Sequence, residues 1–442
     1  MTLDAIEHSV SYRRRRILNW LPLGLTYALL YMGRYNLTVS KNAFGDLMTK
    51  SEFGTIFFFG TVTYAVAFLL NGPLTDKIGG RKAILIAAAG AAVMNLLMGL
   101  FTYFKPALNM IVAFSILYSI NMYFQSFGAV SIVKVNASWF HVRERGIFGG
   151  IFGVLISAGI FLAFQVGQFI VDRFHSAPQA DGTLVVTSAP YMVFFVPSVL
   201  LVMFWVIDFF VVRNRPSEAG HENFDTGDAS SGEDDTPDPL AVILKKVVTN
   251  PIVLTIGAIE FCTGVLRNGI MHWYIIYGKE MGYFYDFVIT RNWGLVLFLA
   301  GATGGMTAGW MSDKVFGSRR GPVAGILYAL ILVSAVVMTF SLHNVWILGI
   351  CAVAISYAVI GAHGMLSGTA TQDFGGRKNA GTAVGLIDGL VYLGTGLQAI
   401  CLGFLTEKSW SFWPPFLIPF AVMGLLLAWK IRHAIPKGKK AH

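Results

Sequence analysis

Twelve separate stretches of mostly apolar residues, each about 20 or more residues long, constrain this sequence more than any other feature. A helix needs about 20 apolar residues to cross a bilayer. Inside the bilayer all backbone N–H and C=O groups must be bonded within the protein, which an α-helix achieves. Of the 442 residues, 55% are hydrophobic and only 13% charged, so a soluble fold would expose too much apolar surface. The sequence therefore predicts an all-α membrane protein.

The predicted spans follow one another with short loops, except in the middle of the chain. They lie at about 17–40, 52–74, 83–104, 110–136, 147–171, 190–212, 250–277, 287–311, 322–342, 345–371, 380–405 and 412–431. Arg13 to Arg16 lead directly into the first span, so we expect it to be retained and not cleaved as a signal peptide.

Lysine and arginine are distributed unevenly between the two sides of these spans. Of the 33, 23 lie on the side that holds both termini and 7 on the other side, while three lie inside spans. Since loops rich in lysine and arginine stay in the cytoplasm, both termini are predicted to be cytoplasmic. The net charge of +9 is thus explained by the excess of lysine and arginine on the cytoplasmic side, and it gives no reason to expect a nucleic-acid partner.

An acidic, polar stretch divides the chain. Residues 214–247 are rich in Asp, Glu, Gly, Ser and Pro, a composition that cannot bury enough apolar surface to fold alone. We expect a flexible cytoplasmic linker between an N-terminal six-helix bundle, 1–213, and a C-terminal one, 248–442.

The three cysteines indicate packing. Cys262, Cys351 and Cys401 are far apart in apolar segments, so they predict neither a disulfide framework nor a metal site. No cofactor and no catalytic constellation is expected.

The two halves repeat a loop motif at matching positions. Gly72-Pro-Leu-Thr-Asp76-Lys-Ile-Gly-Gly-Arg81 follows the second span, and Gly309-Trp-Met-Ser-Asp313-Lys-Val-Phe-Gly-Ser-Arg319 follows the eighth. These motifs resemble the loop signature of the major facilitator superfamily. The resemblance implies the major facilitator fold, with two pseudo-symmetric six-helix bundles and a site between them. It also implies a cytoplasmic gate, in which Asp76 and Asp313 face helix ends and Arg81 and Arg319 hold neighbouring carboxylates.

Three basic residues, Arg34, Lys134 and Arg267, lie inside spans. A charge at the bilayer centre costs about 2.5–3.5 kcal/mol even on lenient insertion scales, so it needs a partner or a function. Arg34 and Arg267 lie at equal depth in spans one and seven, about 24 Å along each helix. They can therefore face each other across the pseudo-twofold axis and hold the oxygens of a phosphate dianion with their planar forks.

The alternative is that buried acids neutralise these charges. The acids within or beside spans are Asp208, Glu260, Asp373 and Asp388. Glu260 lies about 10.5 Å from Arg267 along one helix, which is too far for a direct pair. Asp388 remains open as a partner of Lys134 or as a proton carrier.

Longer motifs carry a more specific resemblance. Tyr31-Met-Gly-Arg34-Tyr-Asn36 and Leu266-Arg267-Asn-Gly-Ile-Met-His-Trp273, together with Phe124-Gln125 and Tyr392-Leu-Gly394, resemble the organophosphate:phosphate antiporter family over about residues 12–430. The resemblance implies that Arg34 and Arg267 bind the phosphoryl group. It further implies that Tyr27 and Tyr31 line the site, and that the protein lies in a plasma membrane, as in the inner membrane of bacteria.

Two positions depart from the glycerol-phosphate branch of that family. Its histidine on the fifth helix and its lysine on the second align with Ile156 and Phe68. Lys134 lies where the family has an arginine on the fourth helix, which keeps a positive charge near the cavity, and we expect Lys134 to bind the substrate. The organophosphate is therefore left open among glycerol 3-phosphate, a sugar phosphate and phosphoglycerate. We also expect Tyr64, Gln125 and Asn36 to line the cavity and His363 to contact the ligand, with packing as the alternative for His363. His272 points away from the Arg267 face of its helix, which predicts packing.

These expectations combine into exchange of a small organophosphate for inorganic phosphate by alternating access, carried out by a monomer. Two facing cations resist occlusion of an empty site, and a bound anion neutralises them. The sequence leaves open a proton-coupled organic-anion symporter that uses Glu260 or Asp388, and a non-transporting sugar-phosphate sensor of the same family. A multidrug exporter is disfavoured by Arg34 and Arg267.

Overall fold

The structure is a computed structural model that describes residues 8–141, 144–173, 190–226, 242, 249, 251–317, 319–375 and 380–433. Within these ranges the ordered elements are helices and no strand occurs. The twelve main helices are α1 Val10–Phe44, α2 Lys50–Ile78, α3 Gly80–Phe104, α4 Met110–Trp139, α5 Arg145–Phe161, α6 Met192–Val211, α7 Pro251–Met271, α8 Trp293–Trp310, α9 Arg320–Phe340, α10 Val345–Gly375, α11 Ala380–Lys408 and α12 Trp413–Lys430.

Three of these helices continue past an irregularity. The π-helical turn Leu162–Val166 connects α5 to Gly167–Arg173, and Trp273–Glu280 extends α7. The π-helical turn Met311–Val315 extends α8 into the second loop motif. Every predicted span therefore coincides with a helix. Ten helical segments in the described residues are long and apolar enough to cross a membrane, and α1 and α8 are the two spans outside that group.

Local sequence signals set several helix ends. Thr49 and Glu52 form a reciprocal capping box at the start of α2, and the Asn109 side chain accepts hydrogen bonds from two backbone N–H groups at the start of α4. Such caps satisfy N–H groups that have no partner within the helix. Gly79 separates α2 from α3 with a φ of 87°, a left-handed conformation that glycine adopts without strain.

The predicted linker, 214–247, begins with a folded stretch. Pro216–Ala219 form a 3₁₀ helix with Pro216 buried, and the Phe224 ring packs edge-on against Tyr12, 5.8 Å between centroids. A fully flexible tether is therefore wrong for residues 214–226, because aromatic contacts with α1 hold them in place. Most of the remaining linker lies outside the described residues.

The two halves meet through two helix pairs. The helix α2 packs along α11, and α5 packs against α8. Glycines allow the closest contacts, since a Cβ added at Gly54 of α2 would lie 2.5 Å from the Ala399 carbonyl oxygen of α11. The pseudo-twofold axis exchanges these two pairs, so the interface itself has the symmetry that the repeated motif predicts.

Each end of the bundle is identified by its loops. The terminal end carries residues 8–12, 140–141, 144, 212–226, 316–317, 319 and 431–433, and the opposite end carries 45–49, 105–109, 281–292, 341–344 and 409–412. At the terminal end, Arg16 bonds Glu144 at 2.9 Å and the Trp139 indole donates to the Arg213 carbonyl at 3.0 Å. These contacts join α1, α4 and α6 at one end of the N-terminal half.

Candidate functional site

Arg34 lies fully buried in the middle of α1 and all three of its nitrogen positions have acceptors. Its Nε donates to Gln125 Oε1 at 2.8 Å, one terminal nitrogen donates to the Tyr64 hydroxyl at 2.8 Å, and the other donates to the Tyr392 hydroxyl. Gln125 comes from α4, Tyr64 from α2 and Tyr392 from α11. The guanidinium of Arg34 therefore connects the two halves of the protein.

Aromatic rings surround the same guanidinium. The Arg34 Cζ lies 4.6 Å from the Tyr31 ring centroid, 4.5 Å from that of Tyr64, 5.5 Å from that of Tyr392 and 5.9 Å from that of Tyr35. The negative face of an aromatic ring attracts a cation, and the attraction grows when water is excluded. These rings help to offset the cost of burying a charge that forms no salt bridge with a carboxylate among the described residues.

Arg267 in α7 is surrounded differently. Only 6% of the residue is exposed, and its buried Nε has no hydrogen-bond partner in the described part of the chain. Tyr35, Tyr392, Tyr31 and Glu260 lie within electrostatic range of its guanidinium. A buried guanidinium with an unpaired donor costs free energy, and this arrangement leaves hydrogen-bonding capacity for an anion.

The tyrosines link the two arginines into one site. Tyr31, Tyr35 and Tyr392 each interact electrostatically with both Arg34 and Arg267. Two of these residues come from α1 and one from α11, and all three are at most 5% exposed. The structure thus brings the helix-one and helix-seven arginines to a common wall of aromatic hydroxyl groups, as their matching depth predicts.

Glu260 and His363 form a second polar group, in the C-terminal half of the protein. Glu260 of α7, fully buried, binds the His363 Nδ1 of α10 through Oε2 at 2.7 Å, while its Oε1 has no hydrogen-bond partner among the described residues. No salt bridge joins Glu260 to Arg267 within the described chain, in agreement with their separation along the helix. Asp388 of α11 accepts a hydrogen bond from Ser367 at 2.9 Å.

The gate motif contacts its own half of the protein. The Asp76 carboxylate binds the Lys134 Nζ of α4 at 3.0 Å, so among the described residues the carboxylate seen beside Lys134 is Asp76, whereas the sequence suggested Asp388 as one possible partner. This ion pair supplies a negative charge next to the Lys134 ammonium, and the expectation that Lys134 binds the ligand stays a prediction.

Among the described residues the motif arginines bond carbonyl oxygens, and the expected contacts with carboxylates stay a prediction. Arg81 donates to the Phe209 carbonyl oxygen and Arg319 to the Phe316 carbonyl oxygen, 3.1 Å away in the second case. Carbonyl groups at the ends of helices lack partners within the helix, so they attract nearby guanidinium groups. The Asp313 side chain lies outside the described residues.

Three further candidates take different places. His272 is packed as predicted, with hydrogen bonds to Thr38 at 2.8 Å and Asn268 at 3.1 Å. Asn36 was expected to line the cavity, but it donates to Asn95 at 2.7 Å and therefore lies within the N-terminal half. Tyr27 lies one turn from Tyr31, with 5.2 Å between ring centroids.

Sequence patterns did not identify the roles of Tyr392 and Tyr35. Tyr392 lies in a motif that carried the family resemblance, but its contact with Arg34 depends on how α11 packs against α1 and α2. Tyr35 is adjacent to Arg34 in the sequence, and this adjacency was the signal available for it.

Contacts between the halves close the opposite end of the site. Lys50 of α2 binds both oxygens of Glu280 at 2.9 Å, and the Ser51 N–H donates to Glu407 at 3.0 Å. On the other side of the bundle, the Tyr285 hydroxyl donates to Asp172 at 2.9 Å. These polar contacts connect the start of α2 and the end of α5 to the C-terminal half, so we call them the opposite-end gate.

Twelve helices in two symmetric halves, with paired buried cations between them, define a membrane transporter of the two-bundle kind. The chain belongs to the Major Facilitator Superfamily, whose sequence profile matches residues 23–399.

Relatives along nearly the whole chain carry organophosphate names. The Membrane sensor protein UhpC of Escherichia coli (strain K12) is 25% identical over 450 residues, covering 95% of this chain and 92% of that protein. The Glycerol-3-phosphate transporter of Bacillus subtilis (strain 168) is 23% identical and covers 97% and 95%. A Probable hexose phosphate transport protein of Chlamydia pneumoniae is 23% identical and covers 96% and 92%. The resemblance to the organophosphate:phosphate antiporter family is confirmed.

A solved structure supports the fold. A bacterial homolog of the human lysosomal transporter Spinster, crystallised in an inward-facing and unoccupied conformation, matches with a TM-score of 0.69 over 96% of this chain and 98% of that one. At 14% identity this similarity concerns the fold alone.

Proposed function

We propose that this protein is a secondary transporter that exchanges a small organophosphate for inorganic phosphate by alternating access. The ester would be glycerol 3-phosphate, a sugar phosphate or phosphoglycerate. We further propose that it acts as a monomer in a plasma membrane, the inner membrane in a bacterium, with the terminal end of the bundle in the cytoplasm.

The buried Nε of Arg267, which has no hydrogen-bond partner among the described residues, is the observation that carries this proposal. A cation that is only 6% exposed and keeps an open donor is stabilised by an anion that brings several acceptor oxygens. A phosphate group offers three such oxygens in a geometry that an arginine fork matches. A ligand without acceptor oxygens would leave the Arg267 Nε without a partner, so the site favours ligands that carry such oxygens.

Arg34 supplies the second half of the proposed clamp. Its donors bond Gln125, Tyr64 and Tyr392. An entering phosphate would take over part of these bonds, and Tyr392 of α11 would then be released from Arg34. Since Tyr392 and Arg34 belong to different halves, ligand binding and movement of the halves are coupled through this contact.

The organic part of the substrate would lie beyond the tyrosine wall. Phe68 occupies the position at which the glycerol-phosphate branch has a lysine, and its ring packs edge-on against Tyr64, 4.5 Å between centroids. At this position of α2 the chain therefore has an uncharged ring in place of a cation. We therefore do not assign glycerol 3-phosphate in preference to the other esters.

Counterflow in proteoliposomes tests the exchange. Vesicles preloaded with unlabelled phosphate are placed in labelled phosphate, and rapid uptake is expected only when both the protein and internal phosphate are present. A panel of external phosphate esters then competes for uptake and identifies the organic substrate. Uptake that ignores internal phosphate and instead requires a pH gradient would contradict exchange and favour a proton symporter.

One relative supports a second candidate function, because the Membrane sensor protein UhpC matches 95% of this chain. A sensor would bind the phosphate ester without transporting it. Tight binding of phosphate or an ester to the purified protein, combined with no counterflow in vesicles of the same preparation, would favour the sensor over the carrier.

A further inference from the structure

The Glu260–His363 pair is a buried group with one open side that phosphate binding alone does not use. Glu260 is fully buried, whereas the His363 side chain keeps 20% of its surface exposed. The 2.7 Å bond between them joins α7, which carries Arg267, to α10. A proton can therefore reach the histidine while the carboxylate behind it stays out of contact with water.

The groups around the pair determine its charge balance. The charged or titratable groups in electrostatic range of Glu260 include His363, Asp388, Arg267, Tyr328 and Cys262. Asp388 is also in range of Tyr64 and Tyr392, which places it beside the arginine site. Two carboxylates thus accompany the two arginines, and the empty site is close to neutral when His363 is uncharged.

A phosphate dianion would upset that balance. It would add two negative charges to a region with little water, where charges interact strongly. One proton bound to the Glu260–His363 pair cancels one of the two negative charges that the phosphate dianion adds. By linkage, an anion that favours protonation of the pair must bind more tightly when the pair is already protonated.

We propose that the Glu260–His363 pair binds a proton together with the phosphate ligand, so that anion and proton enter and leave the site together. The inference rests on the proposed function in taking a phosphate group as the ligand. The proton comes from water on the open side, is held between His363 and Glu260 while the site is occupied, and returns to water when the anion leaves.

This coupling has a defined consequence for transport. In strict exchange, one proton accompanies the anion in each direction, so a pH gradient does no net work. A uniform fall in pH on both sides would nevertheless raise the affinity for the anion. A carrier that returns empty would instead be driven by the gradient.

The test measures phosphate affinity between pH 6.5 and 8.5, corrected at each pH for the fraction of phosphate that is dianionic in bulk water. A fully linked proton changes the affinity by up to about tenfold per pH unit. We expect the corrected dissociation constant of the wild type to rise about tenfold or more over this range. Both E260Q and H363Q should reduce the change to less than about twofold.

Asp208→Asn is the matched control, because Asp208 is also a fully buried carboxylate in a span but bonds Thr26 at 2.7 Å in the N-terminal half. It should keep the pH dependence of the wild type. A second measurement needs no variant: calorimetry of phosphate binding in buffers of different ionisation enthalpy counts the protons taken up by the wild type at pH 7.

The outcomes separate the two proposals. A wild type that binds no phosphate at any pH would overturn the proposed function. Phosphate binding whose pH dependence is the same in the wild type, E260Q and H363Q would overturn only the proton coupling. Calorimetry that shows no proton uptake beyond that of phosphate itself would overturn the coupling even if both variants failed to fold.

Discussion

Arg34 and Arg267 occupy matching positions in α1 and α7, but their hydrogen bonding differs. Arg34 has acceptors for all three nitrogen positions and four aromatic rings around it. Arg267 has an unpaired, buried Nε within the described chain. Arg34 therefore contributes to stability through contacts within the protein, whereas Arg267 keeps a donor that a ligand oxygen could accept from.

This difference predicts unequal effects of two equivalent substitutions. Arg34→Lys should abolish transport and also lower the melting temperature of the empty protein, because it loses charged hydrogen bonds worth about 1.5–3 kcal/mol each. Arg267→Lys should abolish transport with little effect on the empty protein, since its donor is unpaired. Thermal melting in detergent and labelled-phosphate binding measure the two effects.

Arg173→Lys is the matched control, because Arg173 is exposed at the end of α5. Each clamp variant should lose affinity by a factor of tens to thousands, which corresponds to about 2–5 kcal/mol. The double variant should be little worse than either single one, because the clamp is already broken. Phosphate affinity within threefold of the wild type in either lysine variant would contradict that arginine's assignment.

A second prediction at the level of residues concerns the stability that the ion pair between Lys134 and Asp76 contributes. The Asp76 side chain has no exposed surface and lies 3.0 Å from the ammonium. Lys134→Ala should lower the melting temperature, because breaking a buried pair from one side costs about 3–5 kcal/mol. Adding Asp76→Asn should restore part of the loss, which a double-mutant cycle on thermal melting measures. Additive losses would argue against a direct interaction.

Sequence patterns predicted the residues of the site better than their partners. The depth of Arg34 and Arg267 follows from counting along single helices, so it was available without a structure. The pairing of Lys134 with Asp76 and of His363 with Glu260 joins residues 58 and 103 positions apart. Such pairs depend on the relative rotation of two helices, which apolar composition does not specify.

At the level of elements, hydrophobic length predicted all twelve helices because a bilayer requires long apolar segments. Helix ends were predicted less well. The helix α1 begins at Val10, seven residues before the predicted span, because Arg15 and Arg16 bond groups at the terminal end and keep that segment helical outside the apolar region. The apolar pattern does not mark the π-helical turns that follow α5 and α8.

Contact between α2 and α11 predicts a conformational effect of a single methyl group. A Cβ at Gly54 would lie 2.5 Å from the Ala399 carbonyl oxygen across the interface, so Gly54→Ala should separate the two helices near the opposite end. Overpacking of this kind costs about 1–3 kcal/mol. Gly305→Ala is the control, since a Cβ there meets no atom within 4 Å.

The readout for Gly54→Ala is the distance between spin labels at Leu47 and Met281, which are both exposed at the opposite end. We expect a longer mean distance in Gly54→Ala and an unchanged one in Gly305→Ala. Unchanged distances in both variants, with the same melting temperatures, would show that α2 and α11 tolerate the methyl group without separating.

On the scale of the whole molecule, the halves are held together at the opposite end by polar contacts and in the middle by the bond from Arg34 to Tyr392. Alternating access requires the opposite-end gate to break when the other end closes. An exposed ion pair contributes little to stability, about 0–1 kcal/mol, and such a weak gate can open and close without a large barrier.

The gate makes the last prediction. Lys50 also lies 4.8 Å from the centroid of the Trp410 ring, so Glu280→Gln removes the carboxylate but keeps the aromatic contact. The population should shift towards a conformation open at the opposite end, with labels at Leu47 and Met281 moving apart. Asp286→Asn, an exposed acid nearby, should leave the distances unchanged. If the gate is already open in Glu280→Gln, adding phosphate should not lengthen the distances between the labels further. A distance distribution identical to that of the wild type would show that Lys50 and Glu280 do not hold the halves together.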